Sequence, residues 1–231
     1  MPLGGNRDVY WKKRQIEDAL TRSFIHRYRN KGVALTGILL ARPEDSLTRD
    51  EILPHLNYWH HRSGDYVDFF CVGYLPRWYA DSTAGLPPVV TVGNGEWAFA
   101  QSAFVELLTV IEETAGIAYD GSPSLILLNS YFNGFRERAY LNYSRIVWIN
   151  FREAIADQAV STPTQLAEYI FQFAKQANER PQSSQDPVWE MSDSFGHRVL
   201  KRGVVDALLA FLPDWAKPSA RRAIHFAVRK P

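Results

Sequence analysis

The densest group of side chains suited to chemistry is the run His60-His61-Arg62-Ser63-Gly64-Asp65. Imidazoles exchange protons near neutral pH and a guanidinium binds anions, so His60, His61 and Arg62 are candidates for the catalytic groups of a hydrolase or nuclease. A structural interpretation also fits, because His and Arg in the last turn of a helix favour its negative end. Neither the adjacent pair nor His55 has the i, i+4 spacing that places two ligands on one helix face, so we expect no metal site here.

Sulfur chemistry is limited by a single cysteine, Cys71. One cysteine forms neither an internal disulfide nor a CxxC pair, and it cannot build a Cys-rich zinc site. Cys71 lies in an apolar run, where a buried cysteine acts as a small hydrophobic side chain. We therefore expect no cofactor, and the low cysteine content indicates a reducing, cytoplasmic location.

The fragment Gly93-Asn94-Gly95 precedes a predicted helix at Glu96. Backbone N–H groups at a helix start can hold a phosphate. However, the fragment has neither the Gly-Lys-Ser/Thr of a P-loop nor the third glycine of a dinucleotide fingerprint. We interpret it as a turn and helix cap.

Charge is distributed unevenly along the 231 residues, although the net charge is only +1. Residues 1–32 carry eight Lys or Arg against three Asp or Glu (net +5), and residues 195–231 carry eight against two (net +6). The middle of the chain is acidic. Either the basic ends neutralise that middle, or they form a face that binds nucleic acid or another polyanion. The basic residues at the end of the tail are Arg221, Arg222, Arg229 and Lys230.

Hydrophobic periodicity predicts the elements that must position these groups. Helices are predicted at 8–29, 48–61, 96–114 and 162–178, and strands at 33–41, 66–72, 89–92, 124–129 and 145–151. The capping residues of the second and fourth helices are predicted to be Thr48 and Thr162, the latter followed by Pro163, and Asn133-Gly134 predicts a turn. Short connections between the first strand, helix and second strand predict parallel pairing. The tail is predicted to hold a helix at 199–212 and a short basic helix at its end. No apolar run approaches the ~20 residues that span a membrane, so we expect no membrane partner.

We divide the chain into an N-terminal amphipathic helix (1–32), an α/β domain (33–180), and a linker with a basic helical tail (181–231). Two short motifs lie within the α/β domain. Val67-Asp68-Phe69-Phe70 leads to Pro76, and Gly121-Ser122-Pro123-Ser124-Leu125 opens a later strand. With the order of elements, they resemble the thioredoxin family over about 33–178. The resemblance implies a three-layer α/β sandwich with a mixed sheet, and a cis proline at Pro123 facing the site.

The resemblance also shows what is missing. Aligning Pro76 with the family proline places Tyr74 and Arg77 where the two cysteines belong. Disulfide exchange needs those thiols. We therefore expect a redox-inactive module that binds a partner protein or extended peptide at an open edge beside Pro123, through an aromatic and basic loop. The predicted contact residues are Tyr74, Arg77, Trp78, Tyr79 and Pro123, although the two aromatics Trp78 and Tyr79 also suit packing of the loop onto the body.

Overall fold

The computed structural model describes residues 13–28, 32–64, 66–77, 85–156, 160–179 and 224–228. Its α-helices are α1 (Lys13–His26), α2 (Leu56–Ser63), α3 (Gln101–Ala115), α4 (Phe151–Ala156) and α5 (Pro163–Glu179). A π-helical turn, Thr48–Ile52, and a 3₁₀ turn, Leu53–His55, lead into α2. The strands are β1 (Val33–Leu40), β2 (Val67–Cys71), β3 (Tyr74–Pro76), β4 (Pro88–Val92), β5 (Gly95–Phe99), β6 (Ser124–Asn133), β7 (Arg138–Asn150) and β8 (Ile224–Val228).

The main sheet is mixed and has the strand order β2-β1-β6-β7-β8. β1 and β2 are parallel, with Leu35 opposite Val67, which confirms the predicted parallel pairing. β6 runs antiparallel to β1 and β7 antiparallel to β6. β1 and residues 124–128 of β6 are mostly apolar and buried, as expected for strands covered on both faces.

Adjacent residues of β2 point to opposite faces of the sheet and show which helices cover each one. Asp68 pairs with Arg27, which follows α1. Phe69, on the other face, contacts Phe171 of α5 and Trp59 of α2 at ring-centroid distances of 5.4 and 6.5 Å. The molecule is therefore an α/β structure with helices on both sides of a mixed sheet.

A second, three-stranded antiparallel sheet has the order β3-β5-β4. Residues 95–99 form a strand here, so the prediction of a helix from residue 96 was wrong for its first turn, and α3 begins at Gln101. Gly93 and Asn94 make a two-residue hairpin loop between β4 and β5, with Gly93 at φ 61°. Glycine at the first loop position with positive φ is typical of a tight hairpin, so the fragment is a turn and caps no helix.

β6 and β7 extend into a hairpin whose far end we call the arm, residues 131–140. The register between the two strands shifts after Leu128, where residues 143–145 of β7 form a bulge without partners in β6. The turn at the end of the arm lies at Asn133-Gly134, as predicted. Helix α1 packs against the arm, where Phe24 stacks on Phe132 with ring centroids 5.5 Å apart.

The chain's last described segment is a strand, not the predicted short helix. β8 pairs antiparallel with β7, placing Ile224 opposite Ile149 and Val228 opposite Arg145. The predicted helix at 199–212 and the four basic tail residues lie outside the described residues. No helix in the described part of the chain combines the length and apolar character needed to cross a membrane.

Candidate functional site

The carboxyl ends of β1 and β2 lie at one edge of the main sheet, where α/β proteins bind ligands. The start of β6 and the end of β7 meet them there, because Leu40 is opposite Ser124 and Ser124 is opposite Asn150. We call this the carboxyl edge. It brings Tyr74 and Pro123 to the same side of the molecule, with β1 between them.

Tyr74 lies in the core, where it cannot cap a groove. Its side chain is 1% exposed, and its ring packs edge-on against Phe99 with centroids 5.2 Å apart. The hydroxyl donates to the carbonyl of Ala41 at 2.9 Å. Burial raises the pKa of Tyr74 far above its usual value. This residue holds β3 against the end of β1.

The backbone around Pro123 is closed to a peptide. Its peptide bond is trans, which corrects the cis proline that the resemblance implied. The Pro123 carbonyl accepts from the N–H of Phe151 at 3.0 Å, and the N–H of Ser122 donates to Asp120 at 2.8 Å. Because these groups already have partners, strand addition at this loop is not available.

Of the predicted contact residues that remain, Arg77 is the one that the structure describes. Arg77 is exposed and pairs with Glu96 of β5 at 2.9 Å. Trp78 and Tyr79 lie outside the described residues. Of the predicted loop, the structure describes Tyr74, which is buried, and Arg77, which is paired within the chain.

Cys71, at the end of β2, is 5% exposed. Burial raises the pKa of its thiol to about 12. Since the thiolate is the reactive form, this sulfur is almost wholly protonated at neutral pH. It packs as part of the core.

Polar groups at the carboxyl edge form hydrogen bonds and ion pairs with one another. Asp45 caps the first helical turn by accepting from the N–H of Thr48 at 3.0 Å, and it forms an ion pair with Arg152. Burial favours the neutral carboxyl, but the bonds from Arg152 and Thr48 outweigh it and hold the pKa of Asp45 below its usual value. Arg42 donates to Gln101 at 3.1 Å.

The sequence prediction missed this network. It placed the helix cap at Thr48, whereas Asp45 is the capping residue, one turn earlier. The Asp-x-x-Thr spacing was the available signal. Nothing local pointed to Arg152, which is 107 residues from Asp45.

The histidine run ends α2, at the opposite end of β2 from the carboxyl edge. Arg62 binds both carboxylate oxygens of Glu168 in α5, at 3.0 and 2.9 Å, and Tyr58 donates to the same carboxylate at 2.7 Å. The bond from Arg62 holds the pKa of Glu168 below its usual value, in spite of burial. The guanidinium predicted as an anion clamp is thus engaged within the chain, where it joins α2 to α5.

The two imidazoles beside Arg62 add little to a catalytic arrangement. The rings of His60 and His61 are 5.1 Å apart and tilted by 52°. Over the described ranges, no three His, Cys, Asp or Glu side chains come close enough to hold a metal ion.

In contrast to the carboxyl edge, where polar side chains pair with one another, the arm exposes aromatic side chains to solvent. Phe135 at its turn is 98% exposed, and Tyr140 is 47% exposed. Tyr140 stacks on Tyr131 across the hairpin, with ring centroids 5.5 Å apart and planes 17° apart. The sequence predicted the turn but not that its apolar residue would stand outside the core.

Hydrogen bonds within the turn hold Phe135 in this position. The side-chain oxygen of Asn133 accepts from the N–H groups of Phe135 and Arg136, at 3.0 and 3.1 Å. The Asn133 carbonyl also accepts from Arg136 at 3.1 Å. Glu137 closes the turn with φ 47°, an uncommon conformation for a residue with a side chain. The exposure of Phe135 is therefore a product of an ordered turn.

Helix α1 braces the arm from one side. Glu17 forms an ion pair with Arg138 at 3.4 Å, and the hydroxyl of Thr21 accepts from the N–H of Ala139 at 2.8 Å. These contacts tie the base of the arm to the body.

No protein-family model matches the chain, and comparisons with curated proteins and with solved structures also find no match.

Proposed function

We propose that this chain is a redox-inactive, thioredoxin-like module that binds a partner protein, and that it does so through the arm. The order β2-β1-β6-β7, with β1 and β2 parallel and β6 antiparallel, supports the thioredoxin-like arrangement. The buried thiol of Cys71 supports the absence of disulfide chemistry.

One observation carries the binding proposal: Phe135 exposes nearly its whole ring on a turn that is held by three hydrogen bonds. An aromatic side chain gains free energy when it leaves water, and aromatic residues dominate the binding energy of protein interfaces. Exposing one on an ordered turn has no benefit to folding. A binding role explains why the turn presents it.

The geometry gives less support to the two alternative functions, a hydrolase or nuclease and a nucleic-acid binder. Arg62 is engaged by Glu168, so the histidine run lacks the free cation that a phosphate ester would need. The basic residues of the tail lie outside the described residues, and the described strand β8 is paired into the sheet.

Affinity capture with matched variants tests this function. The wild-type chain, Phe135→Ser and the control Val105→Ser are each used as bait in extracts of the source cells. Val105 is an apolar residue of α3 that is 47% exposed, so its replacement makes a comparable surface change elsewhere. We expect a protein that the wild type and Val105→Ser retain and that Phe135→Ser loses.

The captured protein is then purified, and its affinity for the three chains is measured by calorimetry. An insulin-reduction assay checks the second half of the proposal, and we expect no turnover above the background with thiol alone. Catalysed reduction that disappears in Cys71→Ser would contradict a redox-inactive module. Equal retention by all three baits would contradict binding through the arm.

A further inference from the structure

Resting on this proposed function, we infer that the partner carries an apolar pocket sized for one aromatic ring, into which Phe135 inserts as a single knob. The inference concerns the mode of contact. Three other modes are strand addition, pairing of two copies through their arms, and insertion into a lipid surface.

The shape of the turn favours insertion into a concave site. The residues around Phe135 in the turn, 133–138, are all exposed. A Cβ added at Gly134 would have no neighbouring atom within 4 Å, so the chain beside the Phe135 ring is open. The ring therefore projects from a convex tip, and only a concave surface can contact most of it.

Strand addition at the arm is disfavoured because backbone groups on both sides already have partners. On the β7 side, the N–H of Ala139 donates to Thr21 at 2.8 Å. On the β6 side, the N–H of Phe132 donates to the carbonyl of Gly32 at 2.9 Å. An added strand would have to displace these bonds, whereas the Phe135 side chain is available as it stands.

The small apolar area argues against a dimer of two arms. A phenylalanine buries roughly 150–250 Å² of surface, and two convex tips have little further surface to add toward the about 800 Å² that each side of a stable interface buries, whereas a concave partner also contacts the exposed residues around the ring. The exposed part of Tyr140 adds too little to reach that area. A single ring contributes large affinity only when a pocket surrounds it and excludes water.

The charges of the tip suit a protein surface better than a lipid surface. Arg138 at the base of the tip pairs with Glu17, and the other two charged residues, Arg136 and Glu137, are both exposed beside the ring with opposite signs. Anionic lipid attracts clusters of basic residues, and an acidic neighbour weakens that attraction. A protein can instead place one complementary charge opposite each, which fixes the orientation of binding.

Photo-crosslinking of the full chain tests the pocket directly. The photoreactive residue p-benzoylphenylalanine replaces Phe135 in one variant and Val105 in a control, and both are irradiated in the source cells. We expect a discrete adduct from position 135 only. Mass spectrometry should place its crosslinked peptide in an apolar pocket of a folded protein.

Calorimetry with that purified protein gives the second readout. We expect Phe135→Ser to raise Kd at least 30-fold, because the serine leaves the pocket unfilled. Phe135→Leu should raise it by about tenfold or less, since part of the apolar volume remains, and Val105→Ser should leave it unchanged.

The outcomes separate this inference from the proposed function. A partner that crosslinks at position 105 but not at 135 would refute both the pocket and the arm, and would leave a binding module with another surface. An adduct with a second copy or with lipid, or a crosslinked peptide from a flat polar surface, would overturn the pocket alone. No protein adduct from either position, together with no captured partner, would overturn both.

Discussion

The carboxyl edge and the arm are built with the same local device but present opposite surfaces. At the carboxyl edge, the side chain of Asp45 accepts from a backbone N–H three residues later and starts a helix. In the arm, the side chain of Asn133 does the same and closes a turn. The carboxyl edge then pairs its charges internally, whereas the arm leaves an aromatic ring in water. Residue types that suggest chemistry are therefore poor guides here, because most of them have structural partners.

The same comparison shows that exposure, and not residue type, distinguishes the candidate binding residue in this molecule. Tyr74 belongs to an aromatic class common in interfaces, yet it is buried and bonded to Ala41. Phe135 has no polar group, and its significance lies entirely in its exposure. The comparison predicts that substitutions near the carboxyl edge affect stability and substitutions in the arm affect binding.

The reactivity of Cys71 should show the largest effect. With a thiol pKa of about 12, its thiolate fraction at pH 8 is on the order of 10³ smaller than that of an ordinary cysteine. We expect labelling by Ellman's reagent to be slower by at least that factor in the native chain and to become normal in urea. Rapid labelling without denaturant would mean that this end of the sheet is open.

Tyr74→Ala should lower the free energy of unfolding by about 3–5 kcal/mol, since it removes a buried ring next to Phe99. Tyr74→Phe keeps the ring but leaves the Ala41 carbonyl without its donor, which should cost about 1–2 kcal/mol. Urea denaturation monitored by tryptophan fluorescence measures both. If Tyr74→Ala proved as stable as the wild type, the ring would be a surface contact residue after all.

Asp45→Ala should cost about 1–2 kcal/mol at neutral pH, because it removes a helix cap and the partner of Arg152. The pKa of Asp45 is lowered on folding, so its contribution is complete above the unfolded-state value of about 3.9. It is lost as the pH falls from there through the lowered folded-state value.

Urea denaturation at pH 7 and at successively lower pH tests this dependence. The difference between Asp45→Ala and the wild type should shrink as the solution becomes more acidic. The control Glu44→Ala, at the more exposed neighbouring carboxylate, should change the free energy of unfolding little at pH 7 or at low pH. A difference in unfolding free energy that did not depend on pH would show that the charge of the Asp45 carboxylate does not stabilise the fold.

Phe135→Ser should have the smallest effect on stability, within about 0.5 kcal/mol, because the ring makes no buried contact that folding could lose. Val105→Ser should behave in the same way. The midpoint of urea unfolding checks both. A loss above 1 kcal/mol for Phe135→Ser alone would show that the ring packs against the body.

Local patterns predicted much of the main sheet. The apolar runs at 33–41 and 66–72 became the parallel strands β1 and β2, and Thr162-Pro163 correctly marked the start of α5, where Thr162 accepts from the N–H of Gln165 at 3.2 Å. These signals succeed because caps, turns and periodicity depend on residues a few positions apart.

Predictions failed where a distant strand selected the conformation. Apolar residues at 97–99 suit both a helix and a strand, and pairing with β3 and β4 produced the strand. Ile224–Val228 became a strand because β7 offered an edge to pair with. Ambiguous apolar segments adopt whichever structure the tertiary partner allows.

From the sequence alone it followed that this chain has one cysteine, that a strand–helix–strand unit opens its sheet, and that a turn lies at Asn133-Gly134. Those properties are carried by composition or by neighbouring residues. Only the tertiary structure decided that Tyr74 is buried, that Arg62 pairs with Glu168, and that Phe135 faces solvent. Burial and ion pairing depend on groups up to about a hundred residues away, and no local pattern specifies which of them will meet.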